Sequence, residues 1–571
     1  MDNSEIAAVF NRYADLLGIT GSNQFRVRAY RTAARNIDGI ARSIAAIVEE
    51  GKDLTQEIPG VGADLAGKIT EIVNTRKLTA AEDLKKTIPE GLVDIMEIAG
   101  LGPKRAFRLY NELGIKSVDE LGQAAREKRI SKLKGFKEKI EQTILDDIGR
   151  RAEVTVGQRF KLSDAASKAE PLLAYLRNVK GVLKAEAAGS YRRGQETVGD
   201  VDILIIRDQD SPVMNRFAGY PEVGRILAHG PSRSAVVLKG GLQVDVRAVP
   251  PESYGAALNY FTGSKPHNIA IRLMGVKRKL KINEYGVFKG EKRIGGATEE
   301  EVYKSVGLPY IEPELRENRG ELEAAVSGKL PKLITLDEIR GDLHCHSNYS
   351  DGRSSLREMA EAARQRKYEY LAISDHSDRL SGERLEKRNR EIDELNKEFK
   401  GFMLLKGMEV EILPDGSLGT PSEVLSALDV VVVSVHSEFD LRQKQQTDRV
   451  LRALAQPFFV ILGHPTHRRI GIQPPMAIDI ERVMLAAKEF GCALEVNGQP
   501  ERLDLNDINS KMAKDMGIPI VISSDAHQAS QLSQMRNGVT QARRGWLEAG
   551  NVLNTRSLPE LKTIIAKLGS R

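Results

Sequence analysis

The stretch DLHCHSNYSDG, residues 342–352, sets His344 and His346 two positions apart and closes with Asp351 and a glycine. The chain has nine histidines, and seven lie at or after His344. Downstream, short apolar runs end in further polar groups: His376 in ISDHS, Glu409 in GMEVE, His436 in SVHS, His464 in GHPTHR, and Asp525 with His527 in SSDAH. A lone histidine is more often a satisfied core or surface residue, but this pattern recurs strand after strand. Imidazole and carboxylate together suit Zn²⁺, Mn²⁺ or Fe. Nine such groups exceed the needs of one tetrahedral ion and suffice for about three. In an extended segment Cys345 faces away from both neighbouring histidines, which predicts a packed thiol and not a ligand.

A second constellation lies in AAGSYRRGQETVGDVDILI. Asp200 and Asp202 share one face of a strand, and Asp245, in LQVDVRAV, can join them from a neighbouring strand. Three hard oxygen ligands suit Mg²⁺ or Mn²⁺, which keep positions for water and substrate phosphates. An amphipathic strand would also place two aspartates so. Upstream, however, stand Gly189 and Ser190, then Arg192 and Arg193. A small pair allows close backbone approach to a triphosphate, and arginine matches its charge and geometry.

A third pattern repeats. IPGVGADLAGKI (58–69) and IAGLGPKRAFRL (98–109) share I-x-G-[VL]-G before a helix. The turns at Gly60 and Gly62, and at Gly100 and Gly102, would expose backbone N–H groups and a helix N-terminus to phosphate. Lys68, Lys104 and Arg105 lie on the following helices. One copy could be an ordinary helical turn. Two copies resemble helix-hairpin-helix DNA-binding motifs, which hold a duplex without reading its sequence.

The elements that must position these groups follow from the chain as a whole. At 571 residues it is too long for one core, and about 150 residues per domain suggests roughly four. Helical spacing prevails up to about 150, a mixed α+β pattern runs from 154 to 315, and strands alternate with helices from about 338. The expected division is 1–87 and 88–153, all-α, each with a hairpin. Then come 154–250 and 251–318 (α+β), a charged linker at 319–337, and a distorted β/α barrel at 338–571. Polar groups at strand C-termini are where such barrels build their sites. The net charge of +6 permits a nucleic-acid partner without requiring one. Two cysteines exclude a disulfide framework and fit a reducing compartment. The N-terminus does not read as a signal peptide, and LDVVVVSV and PFFVILG are too short to span a bilayer. The expectation is a cytoplasmic protein with no membrane contact.

GSYRRG followed by GDVD resembles the nucleotidyltransferase palm of family X DNA polymerases, the group that includes DNA polymerase beta. YFTGSKPHNIAIR (260–272) is similar to that family's nucleotide-binding segment, and INEYG (282–286) and GLPYIEPELRE (307–317) also fit. The resemblance implies that Asp200, Asp202 and Asp245 hold the catalytic metals. It implies that Gly189, Ser190, Arg193 and Arg159 bind the triphosphate, and that Tyr260, Phe261, Gly263 and Asn268 line the nucleotide site. Asn268 and Arg272 would touch the minor groove. Lys265 stands where the vertebrate enzyme has an acid near the incoming base. Lys68 falls at that enzyme's Schiff-base lysine, with Arg26, Arg28 and Tyr30 as neighbours to lower its pKa.

From 340 to 571, the order H-x-H, D, H, E, H, H, D-x-H resembles the PHP (polymerase and histidinol phosphatase) domain, a metal-dependent phosphoesterase barrel. That implies a trinuclear centre, with Arg502 as a phosphate clamp and Asn497 orienting ligands or water. His467 stands where a glycine is usual. The combined resemblance implies a monomer acting on gapped or nicked duplex DNA with deoxynucleoside triphosphates. It would fill short gaps in base-excision repair and trim 3′ ends. AP endonuclease, 3′-phosphatase and, through Lys68, 5′-deoxyribose-phosphate lyase are further candidate activities. Two rival readings are a phosphoesterase with a vestigial polymerase core and a non-catalytic DNA-binding scaffold. The hairpins oppose the first, and the filled acidic and histidine positions oppose the second.

Overall fold

The computed structural model describes residues 3–569 except positions 21, 41, 43, 90, 97, 99, 100, 134, 137, 154–158 and 381. The chain divides into two units, Met1–Gln158 and Arg159–Arg571. The boundary expected at 154 lies outside the described residues, as does Gly100.

The first unit is helical. Two short helix pairs carry the hairpins: Leu54–Glu57 with Ala63–Thr75, and Gly91–Met96 with Pro103–Leu113. Leu65, Ile69 and Ile72 are buried along one face of Ala63–Thr75, the spacing of an amphipathic helix. Gly62 and Gly102 cap the second helix of each pair with no side-chain cap bond; in the second, Pro103 has no N–H and the Arg105 N–H donates to the Gly102 carbonyl at 2.9 Å. Asn36 donates to the Pro59 carbonyl at 2.5 Å and pins the first turn. The opening helix, Asn3–Ile19, serves two cores. Its Ile6, Phe10 and Tyr13 pack with Tyr30 and Ile69, while its Leu16 and Ile19 pack with Leu92, Leu101 and Leu109. The expected domains 1–87 and 88–153 therefore share an element.

The second unit begins with a five-stranded sheet. Its strands are β1 (Val182–Ala187), β2 (Asp200–Arg207), β3 (Val223–His229), β4 (Arg233–Leu238) and β5 (Gln243–Ala248), in the order β1-β2-β5-β4-β3. β2 and β5 run parallel, with Asp202 opposite Asp245. Helix Leu162–Arg177 buries Ala165, Ala169, Leu172 and Leu176 in the core shared with the sheet. Helices Tyr254–Thr262 and Lys265–Lys277, a small three-stranded sheet and helix Glu299–Ser305 follow.

The stretch 319–337, expected as a linker, is packed and not loose. Glu321–Val326 is helical, and Leu322, Ala325 and Leu333 join Val302, Tyr303 and Ile311 in one core, with Trp546 against it. Ile334 belongs to the barrel core. Buried Glu321 accepts from the N–H groups of Asn318 and Arg319 and from His267, at 2.7–2.8 Å. The apolar residues are interleaved with charged ones and with Gly320, Gly328 and Pro331, so no clear helix or strand period shows in the sequence.

Seven parallel strands complete the chain: β6 (Gly341–Asp342), β7 (Tyr370–Ile373), β8 (Met403–Glu411), β9 (Val430–Ser434), β10 (Ile461–Leu462), β11 (Ala493–Asn497) and β12 (Ile520–Ser523), paired in sequence order. β7, β9, β11 and β12 are buried throughout, as parallel strands between helices must be. A parallel bridge between Cys345 and Ala526 draws the first strand toward the last, with the His346 N–H donating to the Ala526 carbonyl at 2.8 Å. The closure therefore falls beside the H-x-H and D-x-H pairs. Cys345 is fully buried, with its thiol 3.6 Å from Ser524 Oγ.

Candidate functional site

At the barrel mouth, Glu409 is the hub. One or other of its carboxylate oxygens lies 3.2 Å from His344 Nε2, 3.4 Å from His346 Nε2, 3.1 Å from His376 Nδ1, 3.2 Å from His436 Nε2 and 3.0 Å from His464 Nε2. Asp525 lies 3.3 Å from His346 Nε2, and Asp351 lies 3.4 Å from His527 Nε2. Ligand atoms gather in three groups, each within 4.8 Å: His346, Asp351, His376 and His527; His344, His346 and Asp525; His376, Glu409 and His436.

The other ring nitrogens fix how the histidines face. His344 Nδ1 donates to Glu495 at 2.7 Å, His436 Nδ1 to Glu411 at 2.9 Å, and His527 Nδ1 to the Asp525 carbonyl at 3.0 Å. Nε2 of each ring is thereby turned toward the carboxylates. His344 Nε2, both ring nitrogens of His346 and His464 Nδ1 are buried without a hydrogen bond. Orphaned imidazole nitrogens around carboxylates fit a multinuclear cation centre. The charges agree. Burial would raise Glu409, but His344 and His436 overrule it and hold its carboxyl well below the usual range. Burial would lower His436, but Glu409 and Glu411 carry it up to about 10.

Arg502 reaches this mouth, its Nε 3.9 Å from Asp525 Oδ2 and its Nη1 buried without a hydrogen bond. That leaves a donor for a substrate phosphate. Asn497 Nδ2 donates to both Glu495 (3.1 Å) and Asp525 (3.0 Å) and so aims a carboxylate. His467 stacks on Phe439, ring centroids 4.1 Å apart.

The palm carboxylates lie at the N-terminal ends of the adjacent parallel strands β2 and β5. Gly189 rests on Asp202, and a Cβ there would come within 3.0 Å of Asp202 Oδ2; its φ of 67° also favours glycine. Burial, then Asp200 and Asp245, push Asp202 up to about 7. Asp200 is raised by desolvation and then by Asp245. Such mutual repulsion is what a divalent cation relieves. Asp245, however, accepts from Arg233 Nη2 (3.0 Å) and Gln243 Nε2 (2.7 Å). Among the described residues, the three do not form a tight ligand group of the barrel kind.

Arg159 donates to Thr197 Oγ1 at 2.8 Å and lies close enough to Asp200 to oppose the rise in its pKa. Arg193 donates from Nε to Glu317 (2.9 Å) and from Nη1 to the Thr262 carbonyl (2.5 Å), beside Gly263. Arg192 turns away to Glu299 at 2.7 Å. Arg272 lies over the Tyr260 ring at 4.9 Å, Arg247 over Phe261 at 4.5 Å, and Asn268 donates to the Tyr260 carbonyl at 2.7 Å. The structure thus joins Tyr260, Asn268 and Arg272 in one cluster.

In the first unit Lys68 pairs with Asp64 one turn earlier on its helix, and its ammonium lies 5.9 Å from the Tyr30 ring centre. Burial would lower the lysine, but Asp64 and Tyr30 outweigh it and hold it above its ordinary value. The neighbourhood expected from Arg26, Arg28 and Tyr30 is thus dominated by a carboxylate absent from that expectation. Lys104 and Arg105 are exposed on the first turn of the second hairpin helix.

Sequence profiles of known families match along the chain. A helix-hairpin-helix domain matches residues 1–78, a SAM-like helix-hairpin-helix tandem 92–150, the DNA polymerase beta palm 163–219, the DNA polymerase beta thumb 257–317 and the PHP domain 342–497. The DNA polymerase/3′-5′ exonuclease PolX of Bacillus subtilis (strain 168) is 36% identical over 578 residues, which span 99% of this chain and 100% of that protein. The chain belongs to the family X DNA polymerases with a C-terminal PHP domain.

Other relatives match part of it. DNA polymerase lambda of Rattus norvegicus is 26% identical over 314 residues, 49% of this chain and 52% of its own. A probable phosphatase of Thermoanaerobacter sp. (strain X514) is 29% identical over 229 residues, 38% of this chain and 89% of its own. No described helix is long and apolar enough to cross a membrane.

In this family X polymerase, Glu411 and Glu495 carry no motif of their own. Glu411 lies two residues after Glu409, and Glu495 lies two before Asn497, so strand periodicity already put each pair on one face. Asp64 was readable too, as an i,i+4 partner of Lys68.

The raised Asp202 has a consequence in the metal-free enzyme. The folded state holds its proton more tightly than the unfolded chain does, so stability falls as pH rises from 3.8 to about 7. Asp202→Asn, which cannot ionise, should raise the thermal midpoint in chelator at pH 8 and leave it nearly unchanged at pH 4. Equal shifts at both values would contradict the repulsion.

Proposed function

We propose that this enzyme extends primer 3′ ends across short gaps in duplex DNA and that its barrel removes nucleotides from 3′ ends. Asp200, Asp202 and Asp245 hold the palm cations, and the nine barrel groups hold a second, multinuclear set. The observation that carries the palm half is the Gly189 backbone seated against Asp202, which brings a triphosphate loop and cation carboxylates together. When bound, the cations supply Lewis-acid stabilisation of charge on the phosphoryl oxygens at both sites.

The chain's own groups do the rest. Arg193 orients the triphosphate, and Tyr260 with Phe261 supports the sugar. Asn268 and Arg272 meet the minor groove, which requires Arg272 to leave the Tyr260 ring. At the barrel, Arg502 clamps the phosphate while Glu495 and Glu411 keep two imidazoles aimed. Gly62, Gly102 and Lys104 hold backbone phosphates, which supports duplex DNA as the partner.

Gap filling is tested by single-nucleotide extension on a short gap with a 5′-phosphate and on an open template. The gap should be favoured by about tenfold or more, the worth of about one extra phosphate contact of 1.4 kcal/mol. Equal rates would contradict a repair role. The likeness of the barrel to a probable phosphatase supports 3′-phosphate removal as a second use of the same site.

The lyase activity rests on Lys68, and a protonated amine cannot attack an aldehyde. Asp64→Asn should therefore speed borohydride trapping on a 5′-deoxyribose-phosphate end at pH 7 by about threefold or more. Lys68→Ala should abolish it. Trapping that survives Lys68→Ala would remove Lys68 from the mechanism.

A further inference from the structure

The triphosphate loop of the palm is seated on the barrel. Gly194, directly after Arg193, faces helix Met535–Arg544 so closely that a Cβ would collide with Thr540. From the end of that helix, buried Arg544 crosses into the palm. Its Nη1 donates to the Arg193 carbonyl at 2.8 Å and to Glu317 Oε1 at 3.2 Å, and its Nη2 donates to Asp507 at 2.6 Å. Glu317 Oε1 is the same oxygen that receives Arg193 Nε at 2.9 Å and Gln195 at 2.6 Å. Asp507 also receives Arg319 at 3.0 Å. The charges alternate: Arg193, Glu317, Arg544, Asp507, Arg319.

We propose that Arg544, a barrel residue, is a positioning residue for nucleotide binding in the palm. The proposal rests on the reading that Arg193 contacts the triphosphate. Arg544 acts on Arg193 in two ways. It fixes the Arg193 backbone through its carbonyl, and it shares the negative charge of Glu317. Without Arg544, Glu317 would bear on Arg193 and Gln195 alone, so the carboxylate would compete with the triphosphate for the guanidinium. Arg193 Nη1 is taken by the Thr262 carbonyl, and its Nη2 makes no hydrogen bond among the described residues, which leaves that nitrogen for the nucleotide. Arg544 touches no reacting atom, so its loss weakens nucleotide binding and not the chemical step. The barrel is in this sense part of the polymerase.

The neighbouring Arg543 provides the control. It leaves the same helix and donates to Glu314 (2.7 Å) and the Ile334 carbonyl (2.9 Å), without touching Glu317 or Arg193. Loosening the palm–barrel seam in general should affect both variants alike.

The test is single-nucleotide addition by the full chain on a gapped duplex, titrated in one deoxynucleoside triphosphate. Nuclease activity without nucleotide reports an intact fold. Arg544→Ala should raise the nucleotide KM by about tenfold with kcat within about twofold. Arg544→Lys should restore most of the loss, and Arg543→Ala should stay near wild type. A wild-type KM in Arg544→Ala, or equal rises in Arg543→Ala and Arg544→Ala, overturns the proposal. If Arg544→Ala also loses nuclease activity, Asp507→Asn decides. It frees the anchor of Arg544 without emptying space, and only a raised KM upholds the proposal. Arg193→Ala separates the two claims. Its own KM must rise, and if it does not, the palm reading fails and takes the proposal with it.

Discussion

Asp200→Ala with Asp202→Ala should lower nucleotide addition by on the order of a thousandfold or more, with 3′-end resection within a few-fold of wild type. The size follows from geometry. Asp202 faces Asp245 across parallel strands, and Asp200 precedes it by two on the same face. With both gone, the remaining carboxylate is Asp245, already held by Arg233 and Gln243. One engaged carboxylate cannot gather the cations that nucleotidyl transfer needs. Neither aspartate is among the barrel ligand groups, so resection should continue. Primer extension and 3′-end digestion, run side by side, check both halves.

Glu409→Gln should do the reverse. Five imidazoles lie within 3.0–3.4 Å of this one carboxylate. The amide keeps the shape and loses the charge, so the group of His376, Glu409 and His436 loses its carboxylate, and the other two groups lose the anion beside their histidines. Nuclease activity should fall by on the order of a thousandfold, and bound metal, measured on the purified protein, should drop well below wild type. Extension should stay near wild type. Full metal content in Glu409→Gln would mean that another residue gathers the ions.

Much of this was open to reading because strands repeat every two residues. Asp200 with Asp202, and His344 with His346, announce a shared face, and apolar runs ending in His, Asp or Glu announce a barrel mouth. The residues that hold the ligands were harder to see. Glu411 and Glu495 belong to no motif, though their spacing was available. Arg193 and Arg192 look equivalent as a doublet, yet one turns to Glu317 and the other to Glu299. The role proposed for Arg544 has no local signal, since its palm partners Arg193 and Glu317 lie hundreds of positions away. Packing at 319–337 depended on Leu322, Ala325, Leu333 and Ile334 meeting two different cores, which local spacing does not show. Local pattern locates the chemical groups, and tertiary contact decides how they are aimed.

The central claim is that one chain carries two separable sites of opposed chemistry. A single 5′-labelled gapped duplex tests it most directly. It would be incubated with Mn²⁺, with and without nucleotides, using wild type, the Asp200→Ala/Asp202→Ala variant and Glu409→Gln. Wild type should lengthen the primer with nucleotides and shorten it without them. The palm variant should only shorten it, and Glu409→Gln should only lengthen it. Loss of both activities in either variant, or extension surviving in the palm variant, would contradict the account.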